Sequence, residues 1–461
     1  MAVGERIRDA GGELYIVGGW VRDVVINGVA PSDIDFATDL LPDQVEAAMH
    51  GLGTVYTMGK KHGTIGVRVG GITAEITTYR DDTYDGLGHE PKEITFVKDL
   101  NGDLLRRDFT INSMAVSLVP EPAGVLIDPF GGMRDIRKKL IRTPRHPEKS
   151  MWEDPLRMMR AVRFAAWLDF ELEEALRRVI REQADRLELI SWERRREELE
   201  KILVSPNPGM GIKNLIDLGL MAHVIPEVCD MAGVLQPKKF HRGDVLVHTL
   251  VALTNTPPDP LLRRAVLFHD IGKPATFERD SDGKISFINH PQVGARITRR
   301  AMQRLKYSNY DIDATCFLVR QHMRPFDYQR DWGDKPVIRF IRDCQLEKGG
   351  KALVPLEAVF EIAVADMLGG NADETDLIRT RVVALKQRVD EILCREPVLQ
   401  PKSPIDGNEI MGEFGLEPGP MVGRVKDYLV NLVGEGELAQ DDREKALQLA
   451  RDFLDEQAGA Q

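Results

Sequence analysis

The stretch from Tyr15 to Phe36 constrains this chain more than any other. Its apolar start, Tyr15–Val17, predicts a strand that ends at the paired glycines Gly18 and Gly19. A helix-like segment follows and carries Arg22. Paired glycines after a strand are typical of an ordinary turn. They also let a phosphate approach the backbone closely, and an arginine one helical turn later can neutralise its charge.

Two aspartates close the same stretch. Asp33 and Asp35 alternate with apolar residues, so on a strand both side chains would project from one face. Neighbouring carboxylates repel each other and attract a divalent cation, and hard oxygen ligands suit Mg²⁺ together with substrate phosphates. An Asp-x-Asp pair alone is common by chance. In this order after the glycines and the arginine, it predicts a site that holds a nucleoside triphosphate and transfers one of its phosphoryl groups.

These residues resemble the head of the nucleotidyltransferase superfamily of the poly(A) polymerase and CCA-adding type, with Gly18, Gly19, Arg22, Asp33 and Asp35 at the matching positions. The resemblance implies that the two aspartates hold two Mg²⁺ ions. One ion would lower the pKa of an attacking 3′-hydroxyl, and the other would bind the triphosphate.

Two later segments extend the candidate head site. Glu75, on an alternating stretch, is either a third carboxylate near the aspartate pair or a surface glutamate on a sheet. Arg107 and Asp108 lie in the segment RRDFTIN, which matches a motif of the same superfamily. An arginine suits phosphate and a carboxylate suits a ribose hydroxyl, so the resemblance implies that both contact the nucleotide.

The segment SMWEDPLR opens a helix, and two capping arrangements compete there. Ser150 and Glu153 would form a capping box, or Asp154 would cap the helix with Pro155 in its first position. Asp154 and Arg157 stand three apart, so on a helix they share a face and offer an acceptor beside donors.

Such a pair matches the amine and the ring-nitrogen acceptor that cytosine and adenine both present. Uracil and guanine would leave buried groups unpaired, at roughly 1–3 kcal/mol apiece. The sequence EDPLRMMRAVRF resembles the class II, bacterial-type CCA-adding family, which implies that Asp154 and Arg157 act as an amino-acid template for CTP or ATP. Arg160 and Arg163 continue the nucleotide-binding row of that motif.

A second group of residues lies in the middle of the chain. His248 is followed by His269-Asp270 in the segment HDIGKP, and an adjacent His-Asp on a helix, with an earlier histidine, can surround a metal ion. The pattern resembles the HD phosphohydrolase fold. The resemblance implies a second divalent transition metal held by His248, His269, Asp270 and Asp366, and His290 and His322 match positions used in metal-rich HD domains. Core or surface histidines are the alternative.

Composition narrows the class of protein. The formal net charge of −11 argues against indiscriminate nucleic-acid binding, although a local basic patch still suffices for RNA. The four cysteines are scattered and form no CxxC pair, so neither a disulfide framework nor a cysteine zinc site is expected. The chain shows no signal-peptide pattern and no apolar run long enough for a membrane span. We therefore expect a cytoplasmic protein, and the oligomeric state stays open.

The predicted fold is α+β: an N-terminal nucleotidyltransferase α/β head followed by a mainly helical neck, an HD body and a tail. The predicted domains are residues 1–145 (head), 146–235 (neck, for base recognition and RNA binding), 236–395 (HD domain) and 396–461 (tail, for tRNA binding). The resemblance implies template-independent addition of CCA to tRNA 3′ ends from CTP and ATP with Mg²⁺.

Three alternatives to full CCA addition stay open. An enzyme that adds only A or only the two Cs is one, because the family loop associated with the switch to A, here residues 81–91, is glycine-rich and lacks arginine. An HD phosphohydrolase as the main activity is another. A poly(A) polymerase is less favoured, since the chain has no long basic C-terminal extension.

Overall fold

The computed structural model describes residues 2–31, 33–86, 92–237, 243–348, 351–370, 372–394, 402–434 and 437–459. The chain forms two compact units. The first contains Met1–Asp230 and Ala301–Tyr307, and the second contains Met231–Arg300 and Ser308–Gln461. Within the described ranges, every helix is too short or too polar to cross a membrane.

The strands of the first unit are β1 (Leu14–Val17), β2 (Ile34–Thr38), β3 (Thr54–Tyr56), β4 (Thr64–Val69), β5 (Ile72–Thr78), β6 (Arg80–Thr83), β7 (Glu93–Phe96), β8 (Ala115–Val119), β9 (Leu126–Ile127), β10 (Leu140–Ile141) and β11 (Glu171–Leu172). Its helices are α1 (Ala2–Asp9), α2 (Gly19–Asn27), α3 (Pro42–Met49), α4 (Leu100–Leu105), α5 (Gly132–Arg137), α6 (Pro147–Glu153), α7 (Leu156–Leu168), α8 (Glu174–Glu182), α9 (Trp192–Leu203), α10 (Pro208–Asp217) and α11 (Pro226–Cys229).

A seven-stranded sheet organises the first unit, in the order β3-β4-β5-β2-β1-β8-β9. Strand β1 lies inside the sheet and is buried on both faces. Because side chains alternate along a strand, Leu14 and Ile16 join the apolar core on one face, whereas Tyr15 and Val17 join the core on the other. The only parallel pairing within this sheet, among the described strands, joins β2 to β5.

Helix α2 begins directly at the end of β1. Gly18 precedes it with φ 74°, and Gly28 ends it in the left-handed conformation, with its N–H donating to the Val24 carbonyl. Both positions need positive φ, which glycine adopts without steric cost. The predicted order of strand, paired glycines and helix is confirmed. The alternating stretch that carries Glu75 is strand β5, which pairs with β4.

The chain becomes mainly helical after β10. Helices α7, α9 and α10 pack on one another, and α7 is buried along most of its length. Arg195 of α9 is almost fully buried, and its guanidinium donates to the carbonyls of Ile190, His223 and Glu188. Such a cation connects two backbone segments of the neck, one around Glu188 and Ile190 and one at His223, because each carbonyl needs a donor once it leaves water.

The helices of the second unit are α12 (Val245–Thr254), α13 (Pro260–Phe268), α14 (His290–Arg304), α15 (Asn309–Gln321), α16 (Asp334–Asp343), α17 (Leu356–Leu368), α18 (Ala372–Leu393), α19 (Gly407–Phe414), α20 (Pro420–Gly434) and α21 (Arg443–Gly459); α14 ends within the first unit. Its strands are β12 (Glu278–Arg279), β13 (Ile285–Ser286), β14 (Leu346–Lys348) and β15 (Lys351–Val354), which form two short hairpins. Helices α19, α20 and α21 enclose an apolar core of their own, around Ile410, Val425 and Leu429. The α+β class, with a mixed head and a mainly helical remainder, is confirmed.

Candidate active site and metal centre

A cavity of about 360 Å³ in the first unit gathers most of the predicted head and neck residues. It lies between the end of β1, the start of α2 and the first turns of α7. Its lining residues are Gly18, Gly19, Arg22, Asp35, Arg106, Arg107, Asp108, Asn112, Asp154, Arg157, Arg160 and Phe164. We call this cavity the nucleotide pocket. The predicted residues Asp33, Glu75 and Arg163 lie outside its lining.

The pairing of β2 with β5 places two of the predicted carboxylates side by side. Asp35 and Glu75 stand opposite each other in the parallel register, and both are exposed. Asp33 is exposed as well, but it precedes β2, so it lies outside the strand on which alternation was predicted. Partial enclosure of Asp35 raises the pKa of its carboxyl; the Arg107 charge opposes this rise and the Asp33 charge adds to it. Carboxylate oxygens suit a hard divalent cation such as Mg²⁺, although those of Asp33, Asp35 and Glu75, all described residues, do not all lie within 4.8 Å of one another.

Gly18 forms the floor of the nucleotide pocket. A Cβ atom there would lie 3.1 Å from Nη1 of Arg107 and 3.7 Å from Oδ2 of Asp35, and the backbone has φ +74°. The position therefore excludes other residues for two reasons, the left-handed backbone and the proximity of a guanidinium. Without a side chain at this position, the backbone stays open toward the cavity.

A chain of polar contacts runs along one wall of the pocket. Arg22 binds Asp23 through Nε (2.8 Å) and Nη2 (2.9 Å), and its Nη1 donates to Asn112 Oδ1 at 2.7 Å. Asn112 in turn donates to Asp108 Oδ1 at 3.0 Å, and Arg160 Nε donates to Asp108 Oδ2 at 2.9 Å. Asn112 is the last residue of the RRDFTIN segment, yet sequence reasoning assigned it no role.

Asp108 is buried at the centre of this chain of contacts. Burial alone would raise the pKa of its carboxyl, but the Arg160 charge and the hydrogen bond from Asn112 outweigh it and lower the pKa to about 2. One oxygen accepts from the Phe109 N–H and from Asn112, and the other accepts two N–H groups of Arg160. A carboxylate offers about four acceptor positions, so Asp108 already uses all of them within the protein.

The predicted base-reading pair is brought together at the other end of the pocket. Arg157 Nε lies 4.0 Å from Asp154 Oδ2. The remaining guanidinium nitrogens of Arg157 are held by Ser150 Oγ at 3.0 Å and by the Arg106 carbonyl at 2.9 Å. Asp154 itself lies in the break between α6 and α7 in an extended conformation, not on a helix as predicted.

The two capping predictions have different outcomes. The Ser150–Glu153 box is wrong, because α6 already begins at Pro147 and both residues lie inside it. The other prediction has Asp154 as the capping residue, and the capping hydrogen bond is present: Asp154 Oδ1 accepts from the Leu156 N–H at 3.0 Å. Pro155, however, precedes α7 and does not occupy its first position.

Phe164 was missed by sequence reasoning. Its buried ring is approached by the guanidinium carbons of Arg163 at 4.5 Å, Arg22 at 5.0 Å and Arg160 at 5.7 Å. Arg163 also donates to buried Glu198 of α9 at 3.0 Å. Arg160 and Phe164 stand four apart on α7, so helical spacing was the available signal. Arg163 lines a neighbouring cavity of about 560 Å³ that shares Arg22 and Phe164 with the nucleotide pocket.

The second unit contains the predicted histidine and aspartate group. Ligand atoms of His248, His269, Asp270 and Asp366 lie within 4.8 Å of one another, and those of Asp270, His290 and His322 form a second such set. We call the two sets together the histidine centre. His269 and Asp270 directly follow the end of α13, so the prediction that this dipeptide lies on a helix is wrong.

The chemistry of the histidine centre fits divalent transition metals, for which imidazole nitrogen and carboxylate oxygen are common ligands. Asp366 Oδ1 lies 2.8 Å from His248 Nε2, and Lys273 Nζ lies 2.6 Å from Asp270 Oδ2. Burial, with the nearby His269, lowers the pKa of His322 to about 3, so its imidazole is neutral at physiological pH, as a metal ligand must be.

Comparisons with known proteins divide the chain into three matching regions. Residues 14–142 match the poly A polymerase head domain family, residues 169–231 match a family described as a probable RNA and SrmB-binding site of polymerase A, and residues 250–369 match the HD domain family.

Comparison with three individual proteins shows how far along the chain the similarity extends. The chain is 32% identical over 448 residues to the A-adding tRNA nucleotidyltransferase of Deinococcus radiodurans, covering 94% of each chain. It is 43% identical over 216 residues to the CCA-adding enzyme of Limosilactobacillus reuteri, covering 47% of this chain and 52% of that enzyme. The crystal structure of the Bacillus stearothermophilus CCA-adding enzyme in complex with CTP superposes with a TM-score of 0.68 at 25% identity, covering 99% of this chain and 97% of that one.

Proposed function

This chain belongs to the tRNA nucleotidyltransferase family, and we propose that it adds cytidylate and adenylate to the 3′ end of tRNA from CTP and ATP without a nucleic-acid template. One observation carries the proposal. The catalytic carboxylate Asp35 and the base-reading pair, Asp154 and Arg157, line the same cavity. A nucleotide whose base lies against that pair therefore places its phosphates near the carboxylate, in reach of the glycine floor.

In the proposed step, the tRNA 3′-hydroxyl attacks the α-phosphorus of the bound nucleotide. A new phosphodiester bond forms, the bond between the α- and β-phosphates breaks, and pyrophosphate leaves. Asp33, Asp35 and Glu75 would hold Mg²⁺, which when bound supplies a lower pKa for the hydroxyl and charge stabilisation at the phosphates. The residues of the chain position the reactants, since proximity and preorganised charge provide most of the catalysis in such transfers.

The phosphates would lie along the glycine floor and the arginine wall. Arg22 is held by Asp23 and Asn112, and Arg160 is held by Asp108, so both guanidinium groups are fixed before a nucleotide enters. In this reading Asp108 acts mainly through Arg160, and a ribose contact to Asp108 would have to share an acceptor that Arg160 already uses. Arg107, beside Gly18, would complete the grip on the sugar and phosphate.

Base choice would rest on Asp154 and Arg157. The carboxylate accepts from the exocyclic amine of cytosine or adenine, and the guanidinium donates to the adjoining ring nitrogen. Uracil and guanine present a carbonyl where the amine is required, which leaves acceptors facing each other without a proton between them. Because Ser150 and the Arg106 carbonyl hold Arg157, the reading group keeps one orientation.

Complete CCA addition is the proposed outcome, with partial addition as the alternative. Two relatives matched along nearly their whole length are named for adding A and for adding CC, and a CCA-adding relative matches about half of this chain. The loop at residues 81–91, on which the alternative rested, lies partly outside the described residues, because 87–91 are not described.

A labelled-nucleotide assay separates these outcomes. The purified protein is incubated with tRNA lacking CCA, with CC-ended tRNA and with an unrelated RNA, each with one labelled nucleotide at a time. We expect C to enter the first RNA and A to enter the second. Growth of only one of the two tRNAs would establish partial addition. Asp35→Asn should abolish incorporation, and Asp39→Asn just after the same strand is the matched control; retained incorporation in the first variant would refute the assignment.

A second activity is proposed for the histidine centre, because two ligand sets meet there at the shared carboxylate Asp270. The set of His248, His269, Asp270 and Asp366 would hold one divalent transition metal, whose chemistry is to supply a bound hydroxide for phosphoester hydrolysis. Metal analysis of the purified protein and phosphate release from a 2′,3′-cyclic nucleotide test this proposal. Release without any CTP incorporation would make hydrolysis the main activity.

The predicted division into head (1–145), neck (146–235), HD domain (236–395) and tail (396–461) is kept as part of the proposal, with the last boundary outside the described residues. The proposed tRNA contacts lie on the neck and tail. The proposed location is the cytoplasm, where nucleotides and tRNA are available; the four cysteines, all within the described residues, are free as thiols.

A further inference from the structure

One arginine of the neck connects the antiparallel pair β6–β7 of the head, which we call the hairpin, to the segment that precedes Asp154. Arg186, in the 3-10 helix Ala184–Leu189, uses Nη2 to donate to the Gly86 carbonyl at 2.7 Å and to the Trp152 carbonyl at 3.0 Å. Its guanidinium carbon also lies 5.6 Å from the centre of the Trp152 ring. A single side chain thus satisfies two backbone carbonyls that are far apart in sequence.

The contact between Gly86 and Trp152 is unusually close. Gly86 is buried with φ +75°, and a Cβ atom there would lie 2.5 Å from the Trp152 ring. No other residue fits between the hairpin and the indole without movement of one of them. The hairpin therefore packs its backbone directly on Trp152, and Arg186 spans the contact. We call Gly86, Trp152 and Arg186 the hairpin clamp.

The hairpin clamp lies next to the base-reading pair. Trp152 precedes Asp154 by two residues, and Tyr84 precedes Gly86 by two. Burial raises the pKa of Tyr84, while the charge of Arg157 lowers it and that of Asp154 raises it, so the Tyr84 hydroxyl lies within electrostatic reach of both. The hairpin therefore lies beside the base-reading pair, although Tyr84, Gly86 and Trp152 are outside the lining of the nucleotide pocket.

A second connection reaches Arg157 from the same hairpin. Asp82 on β6 is buried and binds Arg106 Nη1 at 3.2 Å, and the Arg106 carbonyl accepts from Arg157 Nη2 at 2.9 Å. The hairpin is thus connected to both members of the reading pair: to Arg157 through Arg106, and to the segment carrying Asp154 through the hairpin clamp. The two connections together set the separation of the carboxylate and the guanidinium.

We propose that Arg186 is a positioning residue for base selection: by holding Gly86 against Trp152, it fixes the spacing of Asp154 and Arg157 that admits amine-bearing bases. This inference rests on the proposed function of the nucleotide pocket. The physical reason is that rejection of a wrong base requires its carbonyl to face an acceptor at hydrogen-bonding distance. A reading pair free to shift apart would relieve that repulsion.

Equilibrium binding of CTP, ATP and UTP, measured by calorimetry without tRNA, tests the inference. We expect Arg186→Gln to reduce the preference for CTP over UTP by about 3- to 10-fold, the range that corresponds to one hydrogen bond. Inorganic tripolyphosphate should bind with unchanged affinity, because Arg22 and Arg160 are held by Asp23, Asn112 and Asp108 and not by the clamp. The matched control is Arg178→Gln on α8, where the exposed side chain binds Glu148 and Glu182.

The outcomes are distinct. An unchanged preference for CTP over UTP overturns the inference, and so does an equal loss for all nucleotides and tripolyphosphate, which indicates general loosening of the pocket. Arg186→Lys keeps a charged donor and should restore part of the preference, and it carries the test if the glutamine variant does not fold. Selective CTP binding by a wild-type protein that extends no tRNA would refute the proposed function while leaving this inference intact.

Discussion

Replacing Asp108 by asparagine should destabilise the first unit, since the carboxylate is buried and paired. Its pKa falls from the ordinary 3.8 to about 2, and a tenfold change in an acid dissociation constant corresponds to about 1.4 kcal/mol. The charged form is therefore favoured in the folded protein by about 2–3 kcal/mol relative to the unfolded chain. The asparagine would keep the shape of the side chain but leave Arg160 without a charged partner, so we expect a loss of that size at pH 7.5.

The sign of the pH dependence follows from the depressed pKa. Above the unfolded pKa, near 4, the carboxylate is ionised in both states, and its full contribution to the free energy of unfolding is present. As the pH falls through 4 toward 2, the unfolded chain takes up the proton first, and the contribution disappears. The difference between wild type and Asp108→Asn should therefore be constant from pH 7.5 to about 5 and shrink below pH 4.

Urea unfolding followed by tryptophan fluorescence measures this difference. Four of the five tryptophans, Trp20, Trp152, Trp167 and Trp192, belong to the first unit, so the signal reports mainly on the unit that contains Asp108. The matched control is Asp81→Asn, whose exposed carboxylate binds Arg145 at 3.3 Å and should contribute less than about 1 kcal/mol.

A double-mutant cycle with Arg160→Gln isolates the pair. If Asp108 acts through Arg160, the second substitution should cost much less in the Asp108→Asn background than in wild type. A loss below about 0.5 kcal/mol for Asp108→Asn would refute the reasoning, because a buried carboxylate with a depressed pKa cannot be neutralised at so small a cost. Additive effects of the two substitutions would refute the pairing.

Three further predictions concern other parts of the chain. Gly18→Ala should lower the affinity for CTP at least 10-fold in calorimetry while the far-UV circular dichroism stays unchanged, because a Cβ lies 3.1 Å from the Arg107 guanidinium; tight CTP binding would contradict this. Asp366→Ala should lower the divalent metal bound per chain, measured by mass spectrometry, whereas Asp343→Ala, at a half-exposed residue outside both ligand sets, should not. Iodoacetamide at pH 7.5 should label exposed Cys394 before Cys316, whose pKa burial raises to about 11; faster labelling of Cys316 would show that its site opens.

Local sequence patterns were sufficient to predict the first strand and helix of the head and the types of residue that form the site. Alternation in LYIV places successive side chains in the two cores of the head, and the glycines end the strand as predicted. Such patterns could not predict that β2 and β5 are neighbours in the sheet. The parallel register that sets Asp35 beside Glu75 depends on pairing between residues about forty positions apart, and alternation carries no information on partners.

The start of the base-reading segment shows why local signals also fail. A serine three residues before a glutamate and a proline in the first turn are equally good signals for a helix start, and the sequence contains both. Helix α6 begins instead at Pro147, which neither capping prediction used, and Ser150 lies inside the helix, where its hydroxyl accepts from Arg157. The choice follows from a tertiary contact of the serine, and no window of sequence around it contains that information.

The same reasoning explains the residues that were missed. Asn112 and Phe164 lie in the quoted segments RRDFTIN and EDPLRMMRAVRF but had no assigned role, whereas Glu198 and Arg186 lie outside both segments. Each gains its role from a partner on another element. Sequence motifs mark the groups that would touch the nucleotide, because those must be of a given chemical type. The groups that hold them in place are selected by packing, and several residue types would serve.

The arginines of the nucleotide pocket share one property that bears on its selectivity. Arg106 and Arg107 both bind buried Asp103, at 2.7 Å and 3.1 Å, and Arg22 and Arg160 bind Asp23 and Asp108. The protein therefore fixes the orientation of each guanidinium group, so the side-chain entropy is lost on folding and not on nucleotide binding. A nucleotide that matches this arrangement loses little entropy on binding, whereas one with a misplaced carbonyl must displace a bound arginine. Under the proposed function, selection between bases would follow from the stiffness of the paired arginines as much as from Asp154 and Arg157 themselves.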